Sequence, residues 1–277
     1  MIVKTPILLR VKLISLALPM LLPSLAAAAD LKLQVSGETR VVRIYEPSAA
    51  SETPVPLVLA FHGYDDDRHH FSRYVDLHKA WPEALLAFPQ GMRLPDRDGT
   101  LRAKGWQTRK GMVGDRDLLM VDRLLDELTS RYTIDKRRVY ATGMSNGGRF
   151  VFLLWAERAE MFAAFAPVAI AATESALRGI VEPRPVLYMI GKQEPQWRLR
   201  DAGPTVETIS RINRSGEQAQ PWGDYVSFDP LPGGADFVFN LHRAGHVWPS
   251  GASDAIVRFF KQHQMPVSVT AQQPGDD

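Results

Sequence analysis

The 277-residue chain contains no cysteine. This absence excludes disulfide bonds, a thiolate nucleophile and cysteine-ligated zinc sites, so the fold depends on its hydrophobic core. A strong charge of one sign is also lacking, because 33 Lys and Arg residues stand against 31 Asp and Glu residues. The formal net charge of +2 does not favour binding to nucleic acid or to a membrane surface, and we predict neither partner. No internal repeat is visible.

Long hydrophobic runs are rare, and one of them stands near the N-terminus at residues 13–25. It follows a short basic segment and leads to Ala27-Ala28-Ala29, a small-residue cleavage site. We therefore predict a signal peptide over residues 1–29, with the mature chain beginning at Asp30 and exported to the periplasm or the medium. An uncleaved anchor helix is the alternative, but two prolines and the shortness of the run disfavour it.

The remaining chain alternates between strand-like and helix-like patterns, which predicts an α/β fold. The predicted strands are 31–35, 40–45, 57–61, 84–88, 139–142, 162–168, 185–191 and 235–241, and the predicted helices are 115–132, 205–213, 253–263 and one that begins at 146. We expect a mostly parallel central sheet with an N-terminal β-hairpin and helices on both faces. Residues 30–264 should form one domain, and residues 265–277 a flexible tail.

The most informative stretch is Gly143-Met144-Ser145-Asn146-Gly147, which fits the G-x-S-x-G pattern of a nucleophile elbow. In such an elbow a strand turns sharply into a helix, so that the serine hydroxyl projects above the sheet near the helix N-terminus. Glycines flank the serine because side chains would collide with neighbouring backbone in so tight a turn. The alternative is a glycine-rich turn without catalytic function in another α/β protein.

A serine hydroxyl becomes a nucleophile when a histidine removes its proton and an acid orients that histidine. After an elbow of this kind, the acid and then the histidine follow later in the chain. His246 lies in a glycine-flanked loop after the last predicted strand, so we predict it as the base. Glu194, just after the strand that ends at Gly191, is the preferred acid, with Asp201 as the alternative. Glu194 as a surface glutamate and Asp201 as a helix cap are the non-catalytic interpretations.

A second loop is expected to supply hydrogen bonds to the reacting carbonyl oxygen. The apolar run 57–61 ends in His62-Gly63-Tyr64, and glycine there lets the backbone approach a substrate. We predict an oxyanion hole formed by the backbone N–H groups of Tyr64 and Asn146, with His62 and Gly63 contacting the substrate.

Two tryptophans are candidates for a substrate pocket. Residues 90–113 form a long polar segment that contains Trp106, and long segments in compact domains are usually functional. Trp248 follows His246 in its loop. We predict that both rings line the pocket, with packing in the core as an equally weighted alternative.

Asp65-Asp66-Asp67-Arg68-His69-His70 contains residue types that bind metals. Its spacing matches no distinctive ligand set, and acidic residues are common where a helix begins because they complement the helix dipole. We predict no metal and no cofactor.

With these residues in place, the chain resembles the esterase family that includes secreted poly(3-hydroxybutyrate) depolymerases, feruloyl esterases and acetyl xylan esterases. The similar segments are 40–47, 56–63, 139–148 and 245–249, of which the last two are specific. The resemblance implies an α/β-hydrolase fold with Ser145 as nucleophile and His246 as base. It places Glu194 where the family has an aspartate, and it reduces the family's paired aspartates to Arg116-Asp117.

The prediction is an exported serine carboxylic ester hydrolase that acts through an acyl-enzyme on short-chain, hydroxyalkanoate, or aryl and acetyl esters. Within the same fold the alternative is a peptidase. From a different functional class the alternative is an inactive binding protein, which the glutamate at the acid position would favour. Oligomeric state is not predicted.

Overall fold

The computed structural model describes residues 28–48, 53–96, 98–172 and 177–266. The strands are β1 Ala28–Val35, β2 Glu38–Tyr45, β3 Val55–Phe61, β4 Leu85–Pro89, β5 Met92–Pro95, β6 Leu101–Gly105, β7 Ile134–Met144, β8 Ala164–Val168, β9 Val186–Gly191, β10 Ser215–Trp222, β11 Tyr225–Pro230 and β12 Phe237–His242. The helices are α1 Arg68–Val75, α2 Leu77–Ala80, α3 Arg116–Arg131, α4 Asn146–Arg158, α5 Gln196–Ile212 and α6 Ala252–Lys261, with 3-10 turns at Met112–Asp115 and Ala159–Met161.

One large sheet has the strand order β1-β2-β4-β3-β7-β8-β9-β12-β11-β10. The six central strands, from β4 to β12, pair in parallel, and antiparallel strands extend the sheet at both edges. Parallel strands are joined by crossover helices that cover both faces, so their sequences read as continuous apolar runs. This confirms the α/β fold with an N-terminal hairpin.

The side chains of the central strands alternate between two hydrophobic clusters, one on each face of the sheet. In β3, Leu57, Leu59 and Phe61 belong to the cluster that includes residues of α3, α4 and α5. Val58 and Ala60 belong to the other cluster, which includes residues of α1, α2 and α6. Because successive strand residues point to opposite faces, one apolar run serves both layers.

The predicted long loop at 90–113 is wrong in part, because β5 and β6 form a two-stranded antiparallel sheet within it. These strands are short and mostly exposed or half-buried, so the sequence carries little alternation to reveal them. The end of β6 and the residues after it lie beside the elbow. There Gln107 N–H donates to Asp117 Oδ2 at 2.8 Å.

Asp117 also accepts a hydrogen bond from Arg40 Nη2 at 2.9 Å, and both of these side chains are buried. Burial lowers the pKa of Arg40, and the attraction of Asp117 opposes that shift. The pair ties the start of α3 to β2 and to residue 107, so Asp117 has a structural role at the sheet edge that carries the elbow.

Two further predictions need correction. Helix α5 begins at Gln196 rather than at residue 205, and it contains Pro204, which normally disfavours a helix interior. Strands β10 and β11 were not predicted, because their residues are mostly exposed and polar and pair only at the edge of the sheet.

The predicted signal peptide lies outside the described residues except for residues 28 and 29, which begin β1. Of the predicted tail, residues 267–277 also lie outside them. Met265 is held by its backbone N–H, which donates to Arg137 O at 2.9 Å. In the described ranges no helix is long and apolar enough to span a bilayer.

Candidate active site

Ser145 lies between the end of β7 and the start of α4, in a backbone conformation that few residues other than glycine adopt. Its φ is 56° and its ψ is −114°. Such a conformation costs about 1–3 kcal/mol and persists only where the surroundings enforce it. Here the Ser145 N–H donates to Val168 O at 2.9 Å, which ties the turn to the neighbouring strand. The geometry is that of the predicted elbow.

The glycines around Ser145 are required by close backbone contacts. A Cβ on Gly147 would lie 2.1 Å from Phe61 O, and one on Gly143 would lie 2.7 Å from the carbonyl carbon of Gly147. Real Cβ atoms do not approach backbone so closely. Glycine at these positions therefore lets α4 begin directly against the end of β3.

Ser145, His246 and Glu194 form one hydrogen-bonded chain. Ser145 Oγ lies 2.9 Å from His246 Nε2, and His246 Nδ1 lies 2.8 Å from Glu194 Oε1 and 3.1 Å from Oε2. A carboxylate only accepts hydrogen bonds, so the ring proton resides on Nδ1 and Nε2 is left to accept from the serine hydroxyl. This is the arrangement that proton transfer from serine requires.

The acid that contacts His246 is Glu194 and not Asp201. Glu194 follows β9, its side chain is fully buried, and its backbone N–H donates to Gly191 O at 3.3 Å. Asp201 lies inside α5, where its carbonyl accepts from Thr205 Oγ1, so it does not cap the helix either.

Arg198 contacts this hydrogen-bonded triad, and the sequence analysis did not identify it. Its Nη1 donates to Glu194 Oε2 at 3.0 Å and also lies in contact with His246 Nδ1. Both an arginine and a protonated Nδ1 are donors, so the two groups converge on the carboxylate rather than bond each other. The guanidinium balances the charge of a buried carboxylate, which is otherwise costly. The (i, i+4) spacing of Glu194 and Arg198 was the available sequence signal.

The two segments that carry the predicted oxyanion donors are both close to Ser145. A Cβ on Gly63 would lie 3.7 Å from Ser145 Cβ, so the loop carrying Tyr64 passes directly beside the nucleophile. Asn146 is the first residue of α4, whose initial N–H groups lack acceptors within the helix and carry partial positive charge. Gly63 is thus a close neighbour of Ser145.

No family model matches the chain. A putative esterase from Nocardia uniformis subsp. tsuyamanensis is 27% identical over 262 residues, which cover 78% of this chain and 73% of that protein. A bifunctional acetylxylan esterase/xylanase from Neocallimastix patriciarum is 30% identical over 131 residues, 47% of this chain and 18% of that longer protein. The acetyl xylan esterase structure from Aspergillus awamori matches with a TM-score of 0.65 over 85% of this chain and 99% of its own, at 13% identity. These similarities show that the chain has the α/β-hydrolase fold of these esterases.

Beside the elbow, the side chain of Asn146 has a role that the sequence did not reveal. Its Oδ1 accepts from Trp106 N–H at 2.7 Å, and its Nδ2 donates to Trp106 O at 3.1 Å. The amide therefore joins the first residue of α4 to the segment after β6. A Cβ on Gly105 would lie 2.7 Å from Asn146 Oδ1, so the contact is close packed.

We expect Asn146→Asp to weaken this junction, because a carboxylate cannot donate to Trp106 O and would repel it. Loss of the bond should reduce the free energy of unfolding by about 1–3 kcal/mol, and displacement of the predicted oxyanion donor should lower kcat for a nitrophenyl ester about tenfold. Asn240→Asp, which removes a solvent-exposed hydrogen bond from Asn240 Nδ2 on β12 to Asp224 O, is the matched control. Equal effects in the two variants, measured by urea unfolding and initial rates, would contradict the assigned role.

His62 is fully buried and does not face a substrate, so its predicted substrate contact is wrong. Gly91 N–H donates to His62 Nε2 at 2.9 Å, which leaves Nδ1 to donate to Gly63 O at 2.7 Å. Trp106 Nε1 donates to His62 O at 2.9 Å. The buried imidazole thus links the loop at Gly63 to the backbone at Gly91. Burial lowers the pKa of His62 below its usual 6.5, although the bond to Gly63 raises it.

This shift predicts a loss of stability in mild acid. As the pH falls below 6.5 the unfolded chain protonates His62 while the folded chain resists, so the unfolded state binds more protons. The free energy of unfolding should then fall by up to about 1.4 kcal/mol per pH unit from this residue alone. Burial lowers the pKa values of His78 and His242 as well, which adds to the slope.

Urea unfolding at pH 7, 6 and 5 measures the effect. His62→Asn should have a shallower slope than wild type. His70→Asn, which replaces a side chain that is 61% exposed, should keep the wild-type slope. A slope unaffected by His62→Asn would show that His62 does not resist protonation in the folded state.

Both tryptophans pack in the core, and the edge of Trp248 also lines a surface pocket with Tyr74 and Lys79. Trp106 is fully buried, stacked on Phe150 at 5.5 Å between ring centroids. Trp248 is 8% exposed, packs edge-to-face on Phe71, and donates from Nε1 to Ser253 Oγ. For both residues the core alternative holds, because each indole N–H has a protein acceptor inside the fold.

The acidic and histidine-rich run before α1 serves the helix. Asp67 accepts from the N–H groups of His69 and His70 as the N-cap, and Asp66 accepts from the His70 ring at 2.7 Å. Across the described ranges no cluster of three or more His, Asp or Glu side chains has the geometry to hold a metal ion.

Proposed function

We propose that the protein is an exported serine carboxylic ester hydrolase that acts through an acyl-enzyme. The observation that carries the proposal is the hydrogen-bonded chain from Glu194 through His246 to Ser145, whose serine is held at φ 56° at the start of α4. That combination activates a hydroxyl next to a helix N-terminus. Export rests on the N-terminal sequence pattern alone.

In the first half of the reaction, Ser145 Oγ attacks the ester carbonyl carbon while His246 Nε2 takes the hydroxyl proton. Glu194 stabilises the imidazolium that forms, and the N–H groups of Tyr64 and Asn146 donate to the tetrahedral oxyanion. When the intermediate collapses, the bond to the alcohol oxygen breaks. His246 returns its proton to that oxygen, and the acyl group stays on Ser145.

In the second half, water takes the place of the alcohol. His246 removes a proton from the water as the water oxygen attacks the acyl carbon, and the same N–H groups donate to the second oxyanion. Collapse of this intermediate breaks the bond to Ser145 Oγ, which regains its proton from His246. The carboxylic acid leaves, and no cofactor enters either half.

The substrates proposed are short-chain, hydroxyalkanoate, or aryl and acetyl esters, including the feruloyl type. Two exposed aromatic side chains near the site support aryl or carbohydrate-linked groups, because such rings supply apolar contact surface at little entropic cost. Tyr64 follows Gly63 and is 54% exposed. Trp197 is also 54% exposed, with the Arg198 guanidinium 4.7 Å from its ring centroid. The acetylxylan esterase named among the relatives is consistent with such substrates.

The proposal is tested with the mature wild-type protein on p-nitrophenyl acetate, butyrate and octanoate, methyl ferulate and a 3-hydroxybutyrate trimer. We expect hydrolysis of the short esters and covalent labelling by a fluorophosphonate, mapped by mass spectrometry to Ser145. A peptide p-nitroanilide separates esterase from peptidase. A folded protein that neither hydrolyses these esters nor takes the label would support the inactive binding protein instead.

A further inference from the structure

Arg149, a half-buried arginine close to the nucleophile in the chain, has a buried Nε with no hydrogen-bond acceptor among the described residues. Arg149 lies one turn after Ser145 on α4, and its backbone N–H donates to Ser145 O at 2.9 Å. Residues four apart share a helix face, and helical side chains lean toward the N-terminus. The Arg149 side chain is therefore directed along α4 toward the end that carries Ser145.

In the described part of the chain, other arginines that are shielded from solvent donate hydrogen bonds from their guanidinium groups. Arg40, Arg116, Arg158 and Arg184 each donate at least one hydrogen bond to a carboxylate or a carbonyl oxygen. Arg149 makes no hydrogen bond or ion pair through its guanidinium to any described residue, and its Nε is buried without an acceptor. A buried hydrogen-bond donor without an acceptor is costly. The Arg149 guanidinium is therefore suited to bind an acceptor group carried by a ligand.

The charges around Arg149 indicate what that acceptor is. Burial has the largest effect on the pKa of Arg149 and lowers it. Repulsion by Arg198 lowers this pKa further, and attraction by Asp201 raises it. Arg198 donates its own hydrogen bond to Glu194, and Asp201 is not within ion-pair distance of Arg149 among the described contacts. Two guanidiniums and two carboxylates thus balance in formal charge, and the pairing of Arg198 with Glu194 leaves Arg149 as the guanidinium with no carboxylate bonded to it among the described residues.

A carboxylate fits this environment better than a phosphate. Its two oxygens match the planar donor fork of a guanidinium, and it carries a single negative charge. A doubly charged phosphate would be repelled more strongly by Asp201. We propose that Arg149 binds a carboxylate carried by the ester substrate, so that the protein prefers acidic esters over neutral esters of the same length. This inference rests on the proposed ester hydrolysis at Ser145.

Matched substrates test it. Mono-4-nitrophenyl adipate and 4-nitrophenyl hexanoate have equal chain lengths and differ in a terminal carboxylate on the acyl part. 4-Carboxyphenyl hexanoate and 4-carbamoylphenyl hexanoate differ in a carboxylate on the alcohol part. For one of these pairs we expect wild type to favour the acid in kcat/KM. Arg149→Gln should reduce that acid-to-neutral ratio about 10- to 100-fold, the range for a charged hydrogen bond.

The controls separate this role from others. Arg149→Lys should retain part of the preference, because it keeps the charge but not the fork. Arg211→Gln, on an exposed turn at the far end of α5, should keep the wild-type ratio. Arg149→Gln should be no less stable to urea than wild type, because it removes a half-buried charge whose Nε has no acceptor among the described residues.

The outcomes are distinguishable. If Arg149→Gln lowers kcat/KM for acidic and neutral esters by the same factor, or leaves both ratios unchanged, the carboxylate site is overturned while ester hydrolysis stands. If wild type hydrolyses none of the four esters and resists the fluorophosphonate, the proposed function itself fails.

Discussion

Replacing Ser145 by alanine is expected to lower kcat/KM for p-nitrophenyl butyrate by at least about 10,000-fold, because no other group can form the acyl-enzyme. Ser145 Oγ is the atom that His246 Nε2 approaches at 2.9 Å. The variant should also lose fluorophosphonate labelling. Its stability should not fall, since the strained backbone at φ 56° is present in both proteins.

The matched control is Ser130→Ala, which removes an exposed hydroxyl that bonds only to Glu127 O in its own helix. This variant should keep wild-type rates and labelling. If Ser145→Ala retained labelling, or more than about one hundredth of the wild-type rate, a different nucleophile would be at work.

The second large effect is expected for Glu194→Gln, which should lower kcat about 1,000- to 10,000-fold. The amide keeps the shape of the side chain but can donate to His246 Nδ1, which would shift the ring proton to Nε2. The imidazole could then no longer accept the proton of Ser145. Loss of the charge also leaves Arg198 without the carboxylate that it bonds at 3.0 Å.

Asp201→Asn tests the alternative acid under the same assay. It should change kcat for p-nitrophenyl butyrate by less than about threefold, because a substitution that does not touch the reacting groups has a small effect. A large loss of activity in Asp201→Asn together with a small loss in Glu194→Gln would identify Asp201 as the acid. Glu194→Asp adds a third point, because the shorter acid keeps the charge and should retain more activity than Glu194→Gln.

Much of the fold could be predicted because its central strands carry their own signal. Residues 57–61 read as a buried parallel strand, and β3 spans Val55–Phe61. The edge strands β10 and β11 have no comparable signal, since their exposed polar residues are compatible with a loop. The sequence predicts this helix from residue 205, whereas α5 begins at Gln196 and runs through Pro204, a residue that normally disfavours a helix interior.

The candidate site divides in the same way. The elbow around Ser145 is local, because glycines at 143 and 147 and the turn they permit lie within five consecutive residues. The order of serine, acid and histidine then pointed to His246. The presence of a tryptophan or a histidine near the motifs was a weaker predictor of a substrate contact. Trp106 and His62 have the right chemistry for a substrate pocket, but their polar atoms are bonded inside the fold.

The sequence by itself determined the parallel α/β core, the elbow at Ser145 and the loop histidine at 246, because short-range sterics and apolar runs encode them. Only the tertiary structure decided that Glu194 rather than Asp201 contacts His246, and that His62 faces inward. It also decided that Arg198 pairs with the acid, while the Arg149 guanidinium bonds to no residue in the described part of the chain. These outcomes depend on how segments far apart in the chain pack together, and a side chain's residue type does not state which distant group it will meet.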